Sequence, residues 1–143
     1  MYRQQSLITL DQFYEIKPLT KLESILSFID YSLFEEVFPY DSHRRGPKGY
    51  SKKQLFNTLI AMQIEQLSDI KALVMRLKSD PVLRRSLGYD YIENTPSAAT
   101  LNRFITLLSG TDILGRTFRR MVCKAIKLGL IDGTNVAIDA SKL

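Results

Sequence analysis

Leu22, Ile25, Leu26 and Ile29 recur three and four residues apart, the spacing that gathers side chains onto one side of a helix. Thr20 precedes them and Glu23 stands three residues on, a capping-box pattern, so a short helix over about 21–29 is predicted. The next run, YSLFEEVF, places Leu33, Phe34, Val37 and Phe38 on one face and stops at Pro39. Residues 39–50 (PYDSHRRGPKGY) have no apolar period and read as a loop. Ser51 with Gln54 repeats the capping pattern and opens a helix to about residue 66, with Leu55, Leu59, Met62 and Leu67 toward the core.

Ser68 caps the following segment, in which Ile70, Leu73, Val74 and Leu77 form the apolar side. Asp80-Pro81 reads as a cap followed by proline at the first helical position, and Gly88 ends that short helix. YDYIENTP is a loop, after which Ser97 caps a helix whose inward residues are Leu101, Phe104, Ile105 and Leu108 and which ends at Gly110. From Asp112, Leu114, Phe118, Met121, Val122, Ala125 and Ile126 mark an apolar side, and Arg116, Arg120, Lys124 and Lys127 a basic stripe on the other. Beyond Gly129 the period changes to two: TNVAID alternates, with Val136 and Ile138 on one face, and predicts a strand. The fold class expected is mainly α, a compact multi-helix domain with a helix-turn-helix-like unit and one C-terminal strand.

Composition narrows the class. With 45% hydrophobic residues, seven Tyr and seven Phe in 143 positions, the chain has the apolar surface for a packed core, which excludes wholesale disorder. A single cysteine, Cys123, and a single histidine, His43, exclude a disulfide framework and a His/Cys zinc site, and a reducing, cytoplasmic setting fits. No apolar run approaches the roughly 20 residues of a membrane span, and the acids of MYRQQSLITLDQFYEI interrupt what would be the apolar stretch of a signal peptide.

The formal net charge of +5 is unevenly spread. Residues 1–42 carry seven acids and three bases, residues 43–131 sixteen bases and six acids, and residues 132–143 two acids and one lysine. Three segments follow: an acidic helical one (1–42), a basic helical one (43–131) and the strand segment (132–143). A positive field confined to the centre points to nucleic acid or to an acidic protein surface. Arg44, Arg45, Lys48, Lys52 and Lys53 form the densest cluster, with Gly46 and Gly49 freeing the backbone and Tyr50 available to stack on a base. Lys52 and Lys53 stand in the first turn of a helix, where the macrodipole disfavours cations, so their charge serves a partner better than the helix. Arg84 with Arg85, and the stripe of Arg116, Arg120, Lys124 and Lys127, are two further clusters.

The helices near 69–78, 81–88 and 97–109 form a candidate DNA-reading unit with the last as recognition element. Ser97, Thr100, Asn102 and Arg103 offer it small or polar side chains suited to phosphate oxygens and base edges. An ordinary N-cap and a solvated face explain the same residues without DNA.

The ordered segments KGYSKKQL, LSDIKALVMRLKSDPVLRRSLGYD, NTPSAATLNRFITLL and LIDGTNVAIDASKL resemble the N-terminal part of bacterial insertion-sequence transposases of the cut-and-paste type. The resemblance covers about residues 45–143. It implies a helical DNA-binding domain ahead of a catalytic domain with a ribonuclease-H-like fold, an Asp-Asp-Glu triad and Mg²⁺. Asp139, on the strand V-A-I-D, matches the context of the first triad aspartate, which such chemistry uses to hold metal ions; Asp132 is the rival. The second aspartate and the glutamate have no counterpart in this sequence. The chain is therefore expected to be an excised or truncated N-terminal piece that needs no cofactor of its own, does not cut DNA, and lacks its catalytic partner domain.

The function expected is recognition of terminal inverted repeats in double-stranded DNA. The alternative is a dimerisation or interaction module, in which the helices near 21–38 and 112–128 pair two copies or pack on the catalytic core. Within that alternative the acidic first segment would also cover the basic centre in cis, as a regulatory device. A metal-dependent nuclease active by itself is disfavoured by the missing carboxylates.

Overall fold

A computed structural model of the chain describes residues 8–39, 49–90, 92 and 94–131. Among these are eight helices: α1 (Leu10–Ile16), α2 (Lys21–Phe28), α3 (Ser32–Val37), α4 (Lys52–Ile64), α5 (Ile70–Ser79), α6 (Pro81–Ser86), α7 (Ala98–Ser109) and α8 (Ile113–Lys127). The architecture is mainly helical, and no helix among the described residues is long and apolar enough to cross a membrane. The strand expected beyond Gly133, with Asp132 and Asp139, lies outside the described residues, as do Arg44, Arg45 and Lys48 of the loop cluster.

The helix starts follow from local hydrogen bonding. Thr20, Ser51, Asp80 and Ser97 each accept the backbone N–H three residues on, and Thr20 with Glu23 and Ser51 with Gln54 form complete capping boxes. The same device makes α1, which the hydrophobic pattern did not predict: Thr9 accepts from the Gln12 N–H and Gln12 answers to the Thr9 N–H. One cap differs from expectation. Asp69, not Ser68, starts α5, its Oδ1 accepting the Ala72 N–H at 2.7 Å; a carboxylate is the stronger acceptor and complements the helix dipole.

The end of α6 requires its glycine. Gly88 has φ +90°, and the Tyr89 N–H reaches back to the Arg84 carbonyl at 2.9 Å while the Gly88 N–H reaches Arg85, a Schellman ending. That reversal drives Tyr89 into the core, where it is 1% exposed.

One core joins the helices. Leu22, Leu26, Ile29, Leu33 and Phe34 of the N-terminal segment pack with Leu55, Phe56 and Ala61 of α4, Leu73 and Leu77 of α5, Leu83 of α6, Leu101, Phe104 and Leu108 of α7, and Ile113 at the start of α8. Two buried polar contacts cross the core: the Thr58 and Tyr89 hydroxyls meet at 2.8 Å, and the Tyr31 hydroxyl bonds the Asn57 carboxamide oxygen, whereas the buried Thr117 hydroxyl has no hydrogen-bond partner among the described residues. Burial pushes both Tyr31 and Tyr89 up to about 12, so both remain protonated hydrogen-bonding groups. The expected inward residues of α2, α3, α5 and α7 are largely inside, except that Ile105 is exposed.

The last helix is rotated from the prediction. Of the residues expected inside, Leu114, Phe118 and Ile126 are 47%, 67% and 48% exposed, Met121, Val122 and Ala125 are half-buried with Met121 against the core, and Ile113 and Thr117 are the buried pair. An apolar stripe states what a helix offers, not what its neighbour accepts. Here α8 lies on α3, whose edge carries acids, and Arg116 and Arg120 reach across to them from the rim of the contact.

Candidate nucleic-acid interface

The polar side of α7 is held out by its apolar side. Leu101, Phe104 and Leu108, spaced three and four residues apart, anchor the helix in the core, which leaves Ser97, Ala99, Asn102, Arg103 and Thr106 in solvent. Ser97 caps the helix through the Thr100 N–H at 3.2 Å, and the two hydroxyls lie 3.1 Å apart. Arg103 donates from Nε to the Ala99 carbonyl at 3.3 Å. That bond fixes the stem of the side chain and leaves its two terminal nitrogens with no ion pair among the described residues, a fork ready for an anion or a guanine edge.

Lys52 and Lys53 open α4 close to that helix. The Lys52 ammonium lies 5.9 Å from the centre of the Phe104 ring of α7 and 6.0 Å from Phe38, and Lys53 lies 4.5 Å from the Tyr31 ring. Aromatic faces hold both cations without neutralising them. Lys52 thus stands between the end of α3 and α7, and Lys53 at the start of α3.

The other two basic clusters are in a different state. Arg85 of α6 lies 3.7 Å from Asp11, and Arg84 is half-buried, its Nε enclosed with no hydrogen-bond partner among the described residues. On α8, Arg116 pairs with Glu36 and Arg120 with Asp30, each at 3.2 Å. Arg120 also donates to the Ser32 hydroxyl at 2.7 Å. Lys124 donates to the Phe28 carbonyl at 3.2 Å and sits over the Phe28 ring. The acids of the first segment therefore occupy bases that the sequence assigned to DNA. Lys127 is exposed.

The stripe is in fact two rows. Arg116, Arg120 and Lys124 repeat at intervals of four and face α2 and α3, whereas Arg119, Cys123 and Lys127 repeat at intervals of four beside them. Arg119 was overlooked in the sequence, although its spacing to Lys127 carries the signal. Asp30, Arg119, Arg120, Cys123, Lys124 and Lys127 line one open depression of about 370 Å³ at the seam of the two halves.

Carboxylates in the N-terminal segment are kept ionised. Partial burial of Glu23 works to raise its pKa, but hydrogen bonds from the Lys17 ammonium, the Thr20 N–H and the Ser86 hydroxyl outweigh it and hold the group at about 2. Through Ser86 this carboxylate ties α2 to α6. Asp30 is held below the ordinary carboxylate value, first by the Ser32 N–H and hydroxyl and then by Arg120, against a small desolvation cost.

No group of three His, Cys, Asp or Glu side chains with metal-binding geometry occurs among the described residues. No curated protein and no solved structure matches the chain. A family model described as a transposase domain matches residues 9–107, from the capping residue of α1 to the last turn of α7, and so takes in both Lys52 and Arg103. The chain belongs to that family, the transposase domain family DUF772, which places it with proteins of transposition.

Proposed function

We propose that this domain binds double-stranded DNA and recognises the terminal inverted repeats of a mobile element, with α5, α6 and α7 acting as a helix-turn-helix-like unit. The observation that carries the reading is the outward face of α7. It presents Asn102 and an anchored Arg103 with no ion pair among the described residues, on a helix that is fixed by three buried side chains and whose Phe104 ring meets the Lys52 ammonium. In this reading Arg103 and Asn102 address base edges, Ser97 and Thr100 bring the helix start close to a phosphate, and the two lysines track the backbone. Arg44, Arg45 and Lys48 extend the track. Catalysis belongs to a Mg²⁺-dependent Asp-Asp-Glu domain for which Asp139 supplies the first carboxylate, and the domain described here cuts nothing by itself.

Fluorescence anisotropy with the inverted repeat that flanks the gene and a scrambled duplex tests the reading. Arg103→Ala is expected to cost about 1–3 kcal/mol on the repeat and little on the scrambled duplex. Lys52→Ala is expected to weaken both and to lower the salt slope by about one. Equal loss on both duplexes for Arg103→Ala would remove α7 from the base edges.

A second reading, an interaction module without sequence recognition, is favoured by one observation: Leu114, Phe118 and Ile126 form an exposed apolar row on α8. A stable dimer in light scattering, with equal affinity for both duplexes, would favour it over the first.

A further inference from the structure

The depression between the N-terminal segment and α8 has a lopsided lining. Four cations, Arg119, Arg120, Lys124 and Lys127, face it, and one carboxylate, Asp30, stands among them. Two of the cations are positioned by the N-terminal segment: Arg120 by Asp30 and the Ser32 hydroxyl, Lys124 by the carbonyl and ring of Phe28. Arg119 and Lys127 are exposed and have no ion pair among the described residues. Lys124 and Lys127 fall in the last turn of α8, where the helix dipole favours cations, so this end of the helix is a stable place for concentrated positive charge.

We propose that this seam is a second DNA-phosphate site, in which Asp30 is a tethered stand-in for the phosphate that Arg120 binds when duplex arrives. The inference rests on the DNA-binding reading and adds to it a surface, and a regulator of that surface, away from α7. The chemistry is that of a sugar–phosphate backbone. The cations are spread over two turns of helix, about 10 Å, an elongated track that suits successive phosphates better than one small anion. Arg120 has a planar fork that accepts a phosphate in the same geometry as a carboxylate, so exchange of Asp30 for phosphate needs no refolding. Arg119 and Lys127, already unpaired, make the first contact. The ion pair is partly exposed and worth little by itself, which makes the exchange cheap.

Asp30→Asn separates this proposal from a structural role. The amide oxygen keeps the bond from the Ser32 N–H, which Asp30 accepts at 3.0 Å, while the charge and the oxygen that accepts from Arg120 are lost. The measurement is anisotropy of the whole chain with the scrambled duplex across a salt series in phosphate-free buffer. Asp30→Asn is expected to tighten binding about threefold to tenfold at low salt, with the gain fading as salt rises, since the carboxylate that competes for Arg120 and repels the backbone is gone. Arg119→Glu with Lys127→Glu is expected to weaken binding more than tenfold and to flatten the slope by about two. The preference for the repeat over the scrambled duplex is expected to stay unchanged in all of these.

Glu65→Gln, which removes an exposed acid at the end of α4, is the charge-matched control. Equal tightening by Glu65→Gln would overturn the site in favour of a diffuse field. So would unaltered affinity in Asp30→Asn with its melting temperature preserved. Half-saturation of the wild-type seam by millimolar inorganic phosphate, with no loss of duplex affinity, would reassign it to a free anion and overturn the backbone reading. If α7 instead fails its own test, the preference for the repeat is absent while the Asp30 and Arg119 effects persist. Absence of binding to any duplex by wild type and variants overturns both readings.

Discussion

Helices α7 and α8 look alike as sequence. Both alternate apolar residues with polar or basic ones at helical spacing, and both carry arginines on the second face. In the fold they diverge. Leu101, Phe104 and Leu108 of α7 are buried and Arg103 stands in solvent; on α8, Leu114, Phe118 and Ile126 stand in solvent, Met121 is half-buried, and Arg116 and Arg120 are held by Glu36 and Asp30. The difference lies in the neighbours. Helix α7 meets α4 and α5, which offer Phe56, Leu73 and Leu77, whereas α8 meets α3 and the end of α2, which offer carboxylates and a carbonyl. An amphipathic helix has two faces that can bind, and the partner decides which is used.

The largest way to break this comparison is truncation on the two apolar rows. Leu101→Ala, on α7, is expected to cost about 2–5 kcal/mol in denaturant unfolding, because it leaves a cavity in the core. Phe118→Ala, on α8, is expected to cost less than about 0.5 kcal/mol. Similar losses at both sites would mean that α8 is seated the other way, with Phe118 inside.

A second test acts on the anchor of the acidic segment. Glu23 has a folded pKa of about 2 against an ordinary 4.5, so its contribution to stability is present in full above about pH 4.5 and disappears as pH falls toward 2. Thermal melts between pH 6 and pH 2 are expected to show a steeper decline in wild type than in Glu23→Gln. Parallel curves would show that the carboxylate is not what holds the segment to α6 in acid.

The smallest effect sharpens the view of α8. A double-mutant cycle on Asp30 and Arg120 is expected to give a coupling of about 0.2–1 kcal/mol, because both side chains are partly exposed, and to shrink in 1 M salt. A coupling above 2 kcal/mol that ignores salt would make the pair a structural lock and not an exchangeable contact.

The sequence was most legible where the determining interaction is local. Thr20 with Glu23, Ser51 with Gln54, Asp80 with Pro81 and Ser97 all act within three residues, and those helix starts could be read directly. Thr9 with Gln12 carries the same signal; α1 was missed because its short run, LDQFYEI, has no sustained apolar period to accompany the cap. The exposure of the polar face of α7 was legible in the sequence, and the pairing of the bases on α8 was not. Arg103 was expected at the surface and is there, whereas the pairing of Arg116 with Glu36 and of Arg120 with Asp30 joins residues 80 and 90 positions apart. No periodicity within a helix contains that information. The same distance explains why Leu114, Phe118 and Ile126 are exposed on α8 although its pattern places them inside.

That separation along the chain also orders events during synthesis. At about 5–20 residues per second, the ribosome takes roughly 4–16 s to travel the 80 residues from Glu36 to Arg116. Within that interval α4 to α7 are made in turn, while Asp30 and Glu36 wait with Arg120 and Arg116 not yet made. The seam is the last part of the fold to close, and a nascent chain shows an acidic face before it shows a basic one.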